Sequence, residues 1–366
     1  MNLDQYQRTA FRTARIEWAD ARKRQIPILG VVGELGSVAT EIKKSLRDGA
    51  AYTDGKQNLT EQFGDLLWYI GALASRYDMR LEALPAARAR KTTDSSLGHI
   101  YAIAESAALL VTVAAPLGPA ITGSQRRALA VALSRVLATT LAAIQHERLD
   151  LSKVLRLNLS KVTGMFGDDV DRPARCFDRE YPDYERLPRY IPIHFLERQR
   201  GSGRLEVVIR ANSLNIGDRL TDNAKEDDGY RFHDAFHLAY AAVLGWSPVV
   251  RATFRCKRKS NAHVDEVQDG ARAAIIEEAV AQTVFNYARG HSMLKSLDRV
   301  DHGILKLVQR MVRGLEASQC ELHDWQRAIL VGFTAFRALR EMRGGWLILD
   351  AETRSLTYSK DGPLAG

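Results

Sequence analysis

From residue 3 to about residue 166 the apolar residues recur at helical spacing, with breaks only at Pro27, across Asp48 to Asn58, at Pro85 and from Pro116 to Gly123. A half-chain with that single period is built of helices packed on helices. Two of its segments, Gly30 to Gly49 and Leu59 to Leu84, each carry a carboxylate on an otherwise small or apolar face, so packing them together buries Glu34 and Asp65. A buried carboxylate has to be paired, hydrogen-bonded or bound to a metal. Mg²⁺ takes oxygen ligands and keeps waters or phosphate oxygens in its remaining positions, which makes a phosphate ester or pyrophosphate the first substrate to expect.

Past residue 168 the pattern changes. Asp168 to Arg189, rich in Asp, Arg, Pro and Tyr, reads as a linker. Ile191 to Gln199 and Arg204 to Ala211 alternate around a Gly-Ser-Gly turn and predict a β-hairpin, and Trp346 to Asp350 with Ser355 to Ser359 predict another near the end. Helical periodicity fills the space between. The expected fold is mainly α, with small β-hairpins carried by a C-terminal helical domain.

Three cysteines, none in a C-x-x-C pair, argue against a disulfide framework and a thiolate zinc site. No apolar run reaches the roughly 18 to 20 residues of a membrane span, and the most apolar stretch, Ile100 to Ala115, carries Glu105 and ends at Pro116, as a buried bundle helix does. No membrane partner is expected. The first ten residues lack the marks of a secretory signal, so the expected location is cytoplasmic. A net charge of +8 favours an anionic partner. The excess is diffuse, in Ala21 to Arg24, Ala87 to Lys91 and Arg255 to Ser260, without interleaved aromatics, so solvated helix ends and loops are favoured over a nucleic-acid track.

The string Gly33-Glu34-Leu-Gly-Ser-Val-Ala-Thr-Glu41-Ile-Lys43-Lys44, followed by Glu61-Gln-Phe-Gly-Asp65-Leu-Leu-Trp68-Tyr69 and preceded by the helix Leu3 to Ala14, resembles the MazG-like, all-α nucleoside triphosphate pyrophosphohydrolases. The resemblance covers about the first ninety residues. It implies metal-dependent hydrolysis of a nucleoside triphosphate to monophosphate and pyrophosphate, with Glu34 and Asp65 as catalytic metal ligands, Glu61 beside them, and Mg²⁺ or alternatively Mn²⁺ as the ion. It also implies that Lys43, Lys44, Asn158 and Lys161 bind substrate, and that the chain assembles as a homo-oligomer or with a partner protein. Trp68 and Tyr69 are placed to border the base, although large aromatics at helical spacing usually pack. Two acids of the family pattern read Ser37 and Gln62 here, and a helical neighbour points about 100° away and does not replace them. That leaves an alternative: a non-catalytic nucleotide-binding regulatory or interaction protein with a decayed site.

Ser96 to Leu110 and Val136 to Leu155 echo the first pair of helices, as a worn tandem copy would. The expected domains are a MazG-like module over 1–90, a degenerate second module over 91–167, a linker over 168–190, and a helical domain with β-hairpins over 191–366.

A second candidate site lies in that last part. His233 and His237 stand four apart at helical spacing, with Asp234 beside them, and a later helix offers Glu277 and Glu278. Packed together, Asp234, His237 and Glu277 or Glu278 converge on one divalent ion, and mixed carboxylate and imidazole ligation suits Mn²⁺, Fe²⁺ or Zn²⁺ better than Mg²⁺. A core histidine hydrogen-bonded to a carboxylate is the bland alternative. The adjacent His233-Asp234 also evokes HD-type phosphohydrolases, whose further His and Asp have no clear place in this sequence. Asp269, opening a helix, is a cap before it is a ligand.

Overall fold

The computed structural model describes residues 1–14, 16–85, 95–166, 175–201 and 203–363, the side chains of 164–166 excepted. The basic run at Ala87 to Lys91 and residues 168–174 of the expected linker lie outside the described residues. The chain divides into two compact units, Met1–Asp168 and Asp169–Gly366.

The first unit holds α1 (Leu3–Phe11), α2 (Ile26–Asp48), α3 (Gly55–Arg76), α4 (Ser96–Ala114), α5 (Gly123–His146) and α6 (Leu151–Phe166). Pro27 does not break a helix. It sits in the first turn of α2, where its missing N–H has no intrahelical partner to lose. Asn2, Ser95 and Thr122 cap α1, α4 and α5, the last in a reciprocal capping box with Gln125. α2 packs along α3, α4 along α5, and α1 and α6 close on α3. One core, from Tyr6 through Phe63, Leu110 and Leu133 to Leu155, runs through all of them. The expected modules 1–90 and 91–167 therefore have no separate cores, because α2 packs on α4 and α3 on α5.

The expectation that no run is long enough to span a membrane needs correcting. By length and composition alone, Ser96–Ala114 and Gly123–His146 both qualify. Their apolar faces are used in the bundle, where Ile103 and Leu110 of α4 and Leu133 and Val136 of α5 are buried, and the Ser106 and Thr139 hydroxyls meet at 2.8 Å between the two helices.

The second unit begins with β1 (Tyr190–Gln199), β2 (Leu205–Ala211) and β3 (Leu214–Leu220). It continues through α7 (Asp234–Leu244), α8 (Pro248–Thr253), α9 (Ala262–Val267), α10 (Ala271–Arg289), α11 (His302–Met311) and α12 (Leu322–Met342), and ends with β4 (Gly344–Asp350) and β5 (Ser355–Ser359). Both expected hairpins form. They join into one antiparallel sheet, ordered β3-β2-β1-β4-β5, through the pairing of Ile193 with Leu347 and its neighbours. Alternation sends Ile193, Phe195, Val207, Ile209, Leu347 and Leu349 to the buried face, and α7 and α12 pack against β4 and β5.

α7 is buried along its whole length after Asp234, as a helix apolar on every side must be. α12 crosses it at Gly332, where an added Cβ would lie 3.2 Å from the Ala239 Cβ and 3.4 Å from the Phe236 ring. Gly332→Val should therefore wedge the two helices apart and lower stability by about 1–3 kcal/mol in a urea melt. A neutral result would show that α12 can shift without cost.

The expected linker is not a free linker over residues 175–189. Asp178 and Glu185 are buried there. Asp178 accepts from Arg251 and Arg189, and Glu185 from Ser260. Nor is the run Arg255 to Ser260 simply solvated, since Arg258 is 1 % exposed and pairs with Asp269 and Glu316. Asp269 is accordingly a buried counter-charge.

Candidate metal centre

In the first unit α3 presents Asp65 to α6. Lys161 Nζ lies 2.5 and 2.7 Å from its two oxygens and Asn158 Nδ2 donates at 2.8 Å. The buried Tyr6 hydroxyl donates to Asn158 Oδ1 and completes the cluster. Asn158 and Lys161 do share one face of α6, but that face is turned onto Asp65. Burial, together with the charges of Glu34 and Asp65, raises the Tyr69 hydroxyl pKa.

Ser37 Oγ donates back to Gly33 O at 3.2 Å within its own helix. Lys44 is paired with Glu41, which also accepts from the Tyr52 hydroxyl, while Lys43 is exposed. Trp68 donates to Thr13 Oγ1, and Tyr69 packs on Gly30 and edge-on to Trp68, so both aromatics are packing residues. Glu34, Glu61 and Asp65 do not form a group of three with mutually close ligand atoms among the described residues. With the Asp65 charge already answered by an ammonium, this donor set does not fit a carboxylate-held Mg²⁺ ion as folded.

The second unit differs. The turn at Tyr230–Phe232 leads directly into α7, so His233 lies just ahead of the helix, Asp234 opens it, and His237 follows one turn on. Ligand atoms of His233, Asp234 and His237 all lie within 4.8 Å of one another. The His233 ring stacks on Tyr230 with centroids 4.4 Å apart, and its Nδ1 lies 2.8 Å from the Tyr230 carbonyl. His237 Nδ1 lies 2.8 Å from Glu277 Oε1.

Glu277, reaching in from α10, is wholly buried. It also accepts from the Ser247 hydroxyl at 2.6 Å and from the Val249 N–H at 2.9 Å. Those two donors are in place because α7 ends at Gly245 in the left-handed region (φ +66), and the chain turns so that Ser247 can cap α8. Glu278 is half-exposed, with Oε1 3.4 Å from His237 Nε2. Burial alone would lower the His237 pKa, yet the charge of Glu277 and the nearness of Glu278 raise it well above the ordinary histidine value. Burial likewise pushes Glu278 up, and His237 outweighs it and holds the carboxyl below its usual range.

The sequence singled out Asp234, His237, Glu277 and Glu278. The structure brings Asp234 and His237 together with His233, the histidine four positions before His237, and sets Glu277 and Glu278 against His237. It moves Glu277 behind His237, where it sets the ring and does not face the common point. Ser247 and Tyr230 carried no signal in the sequence.

A family model described as the MazG C-terminal domain matches residues 172–362, the span that contains this constellation. The chain belongs to that family. It is also similar to the Gene 37 protein of Mycobacterium phage L5, 36% identical over 58 residues, which is 15% of this chain and 51% of that protein. The chain spans about half the length of that curated relative. No solved structure matches. For this MazG-family chain, the group formed by His233, Asp234 and His237 lies wholly within the family-matched span.

Proposed function

We propose that this MazG-family chain is a metal-dependent hydrolase of nucleotide phosphoanhydrides, cleaving a nucleoside triphosphate to monophosphate and pyrophosphate, with its working centre in the second unit. The observation that carries the reading is the convergence of His233, Asp234 and His237 within the span matched by the family. A divalent ion bound there supplies charge for the phosphate oxygens and lowers the pKa of a bound water. The chain's own residues do the rest. Glu277 fixes the His237 ring, and the half-exposed Glu278 stands at the mouth of the site beside His237 Nε2.

One observation favours a second reading, a nucleotide-binding regulator whose first-unit site does not turn over: Lys161 already answers Asp65. Incubation with each common triphosphate in Mg²⁺ or Mn²⁺, followed by product analysis, separates the two. Equal amounts of monophosphate and pyrophosphate are expected. Tight nucleotide binding without products would select the regulator.

A further inference from the structure

We propose that the second unit holds a single divalent transition-metal ion, bound by the Nε2 atoms of His233 and His237 and by Asp234, with Glu278 as a fourth ligand at the mouth. The proposal rests on the hydrolase reading only in naming the ion at its centre.

A backbone carbonyl only accepts, so the 2.8 Å contact from His233 Nδ1 to Tyr230 O puts a proton on Nδ1 and leaves Nε2, in the neutral ring, with its lone pair outward. The Glu277 carboxylate does the same for His237. Because Glu277 is itself held by Ser247 and the Val249 N–H, turning the ring over would break its bond to a carboxylate that is fixed in place. This carboxylate-to-histidine support is what metal-bound imidazoles ordinarily have behind them.

The His237 side chain is 1 % exposed, and its Nε2 makes no hydrogen bond, since Glu278 at 3.4 Å lacks the geometry for one. Such an orphaned buried nitrogen is costly unless something binds it. A core histidine paired with a carboxylate accounts for the Nδ1 side alone. It does not account for a second imidazole, also fixed at Nδ1, whose Nε2 lies 3.3 Å from Asp234 Oδ1. Beside Asp234 and His237 is a cavity of about 20 Å³ walled by Ile193, Ile209, Leu238 and Val249, room for one water. Two imidazoles with one or two carboxylates suit Zn²⁺, Mn²⁺, Fe²⁺ or Co²⁺ above Mg²⁺.

The test needs no nucleotide, so metal binding and hydrolysis can fail separately. Metal-stripped full-length chain is titrated calorimetrically with Zn²⁺, Mn²⁺, Co²⁺ and Mg²⁺, and the visible spectrum of the Co²⁺ form is recorded. One transition-metal ion per chain is expected, with Mg²⁺ bound far more weakly and with Co²⁺ bands unlike those of the aqueous ion. Glu277→Gln should weaken binding about 10- to 100-fold, and His233→Gln and Asp234→Asn by at least as much. His291→Ala, altering a surface histidine of the same unit, should bind as the parent does. Circular dichroism checks each fold. Should Glu277→Gln not fold, His233→Gln, at the less buried of the two rings, still decides. No ion taken up by the stripped parent, or affinity unchanged in both His233→Gln and Asp234→Asn, overturns the proposal.

Discussion

Asp178→Asn is expected to destabilise the second unit by about 3–5 kcal/mol, the usual cost of removing one member of a buried ion pair. The substitution keeps the shape and removes the charge. Asp178 is 1 % exposed and accepts from Arg251 Nη2 at 2.7 Å, from Arg189, and from the Leu187 N–H at 2.8 Å. Arg251 is buried as well, and its other bonds go to the carbonyls of Glu185 and Cys256. An asparagine would leave that guanidinium short of an anion and turn an amide donor toward groups that only donate. Urea melts at neutral pH measure the loss. A change below about 1 kcal/mol would mean that Asp269, 3.5 Å from Arg251 Nε, suffices alone.

The same residue gives a pH dependence of known sign. Burial would raise the Asp178 pKa, but the Arg189 hydrogen bond, the Leu187 N–H and the Arg251 charge outweigh it and hold the carboxyl at about 2, against 3.8 in the absence of these partners. A folded-state pKa below the unfolded one adds stability above 3.8, and that stability is lost as pH falls toward 2. The gap between parent and Asp178→Asn should therefore be constant above about pH 5 and narrow through this window. A gap that stays constant down to pH 2 would assign the loss to packing instead of charge.

Asp178 also shows where sequence reasoning stopped. Its segment has the Pro, Arg, Asp and Tyr content of a surface loop, and nothing local distinguishes a solvated arginine from one aimed at a buried aspartate. Arg258, inside a basic run, was hidden in the same way. The helices and both hairpins were legible because their apolar periods record which face is buried. The joining of β1 to β4 was not, since it depends on packing between segments about 150 residues apart, and β3 escaped because most of its residues are exposed and polar. At the candidate centre, spacing revealed His233, Asp234 and His237. The position of Glu277 behind a ring nitrogen was invisible, because adjacent glutamates on a helix look alike until the partner helix is placed. In the first unit the sequence brought the right residues to Asp65 and not what they do there: the lysine three positions after Asn158 can meet a phosphate or a carboxylate, and the fold turns it onto the carboxylate.

That last point decides what to expect when the two units are tested separately. Hydrolysis should fall by about 10²- to 10³-fold in Asp234→Asn and persist in Asp65→Asn and Glu34→Gln. A bound ion stabilises developing charge by several kcal/mol, and each loss of about 1.36 kcal/mol is a tenfold loss in rate, so a missing ligand shows in turnover. Asp65 is in a different position. Its charge is balanced by Lys161, its neighbour Asn158 is held by Tyr6, and the positions that would have supplied further acids are Ser37, bonded to its own helix, and the neutral Gln62. Changing Asp65 should disturb this cluster and lower the melting temperature of the first unit, with Lys161 left unpaired, and leave the rate per folded molecule near that of the parent. Turnover is therefore measured alongside a thermal melt for each variant, normalised to folded protein. Activity that vanishes with Asp65→Asn and survives Asp234→Asn would return the chemistry to the first unit, and Lys161 would then be a residue that leaves the carboxylate when a phosphate chain arrives.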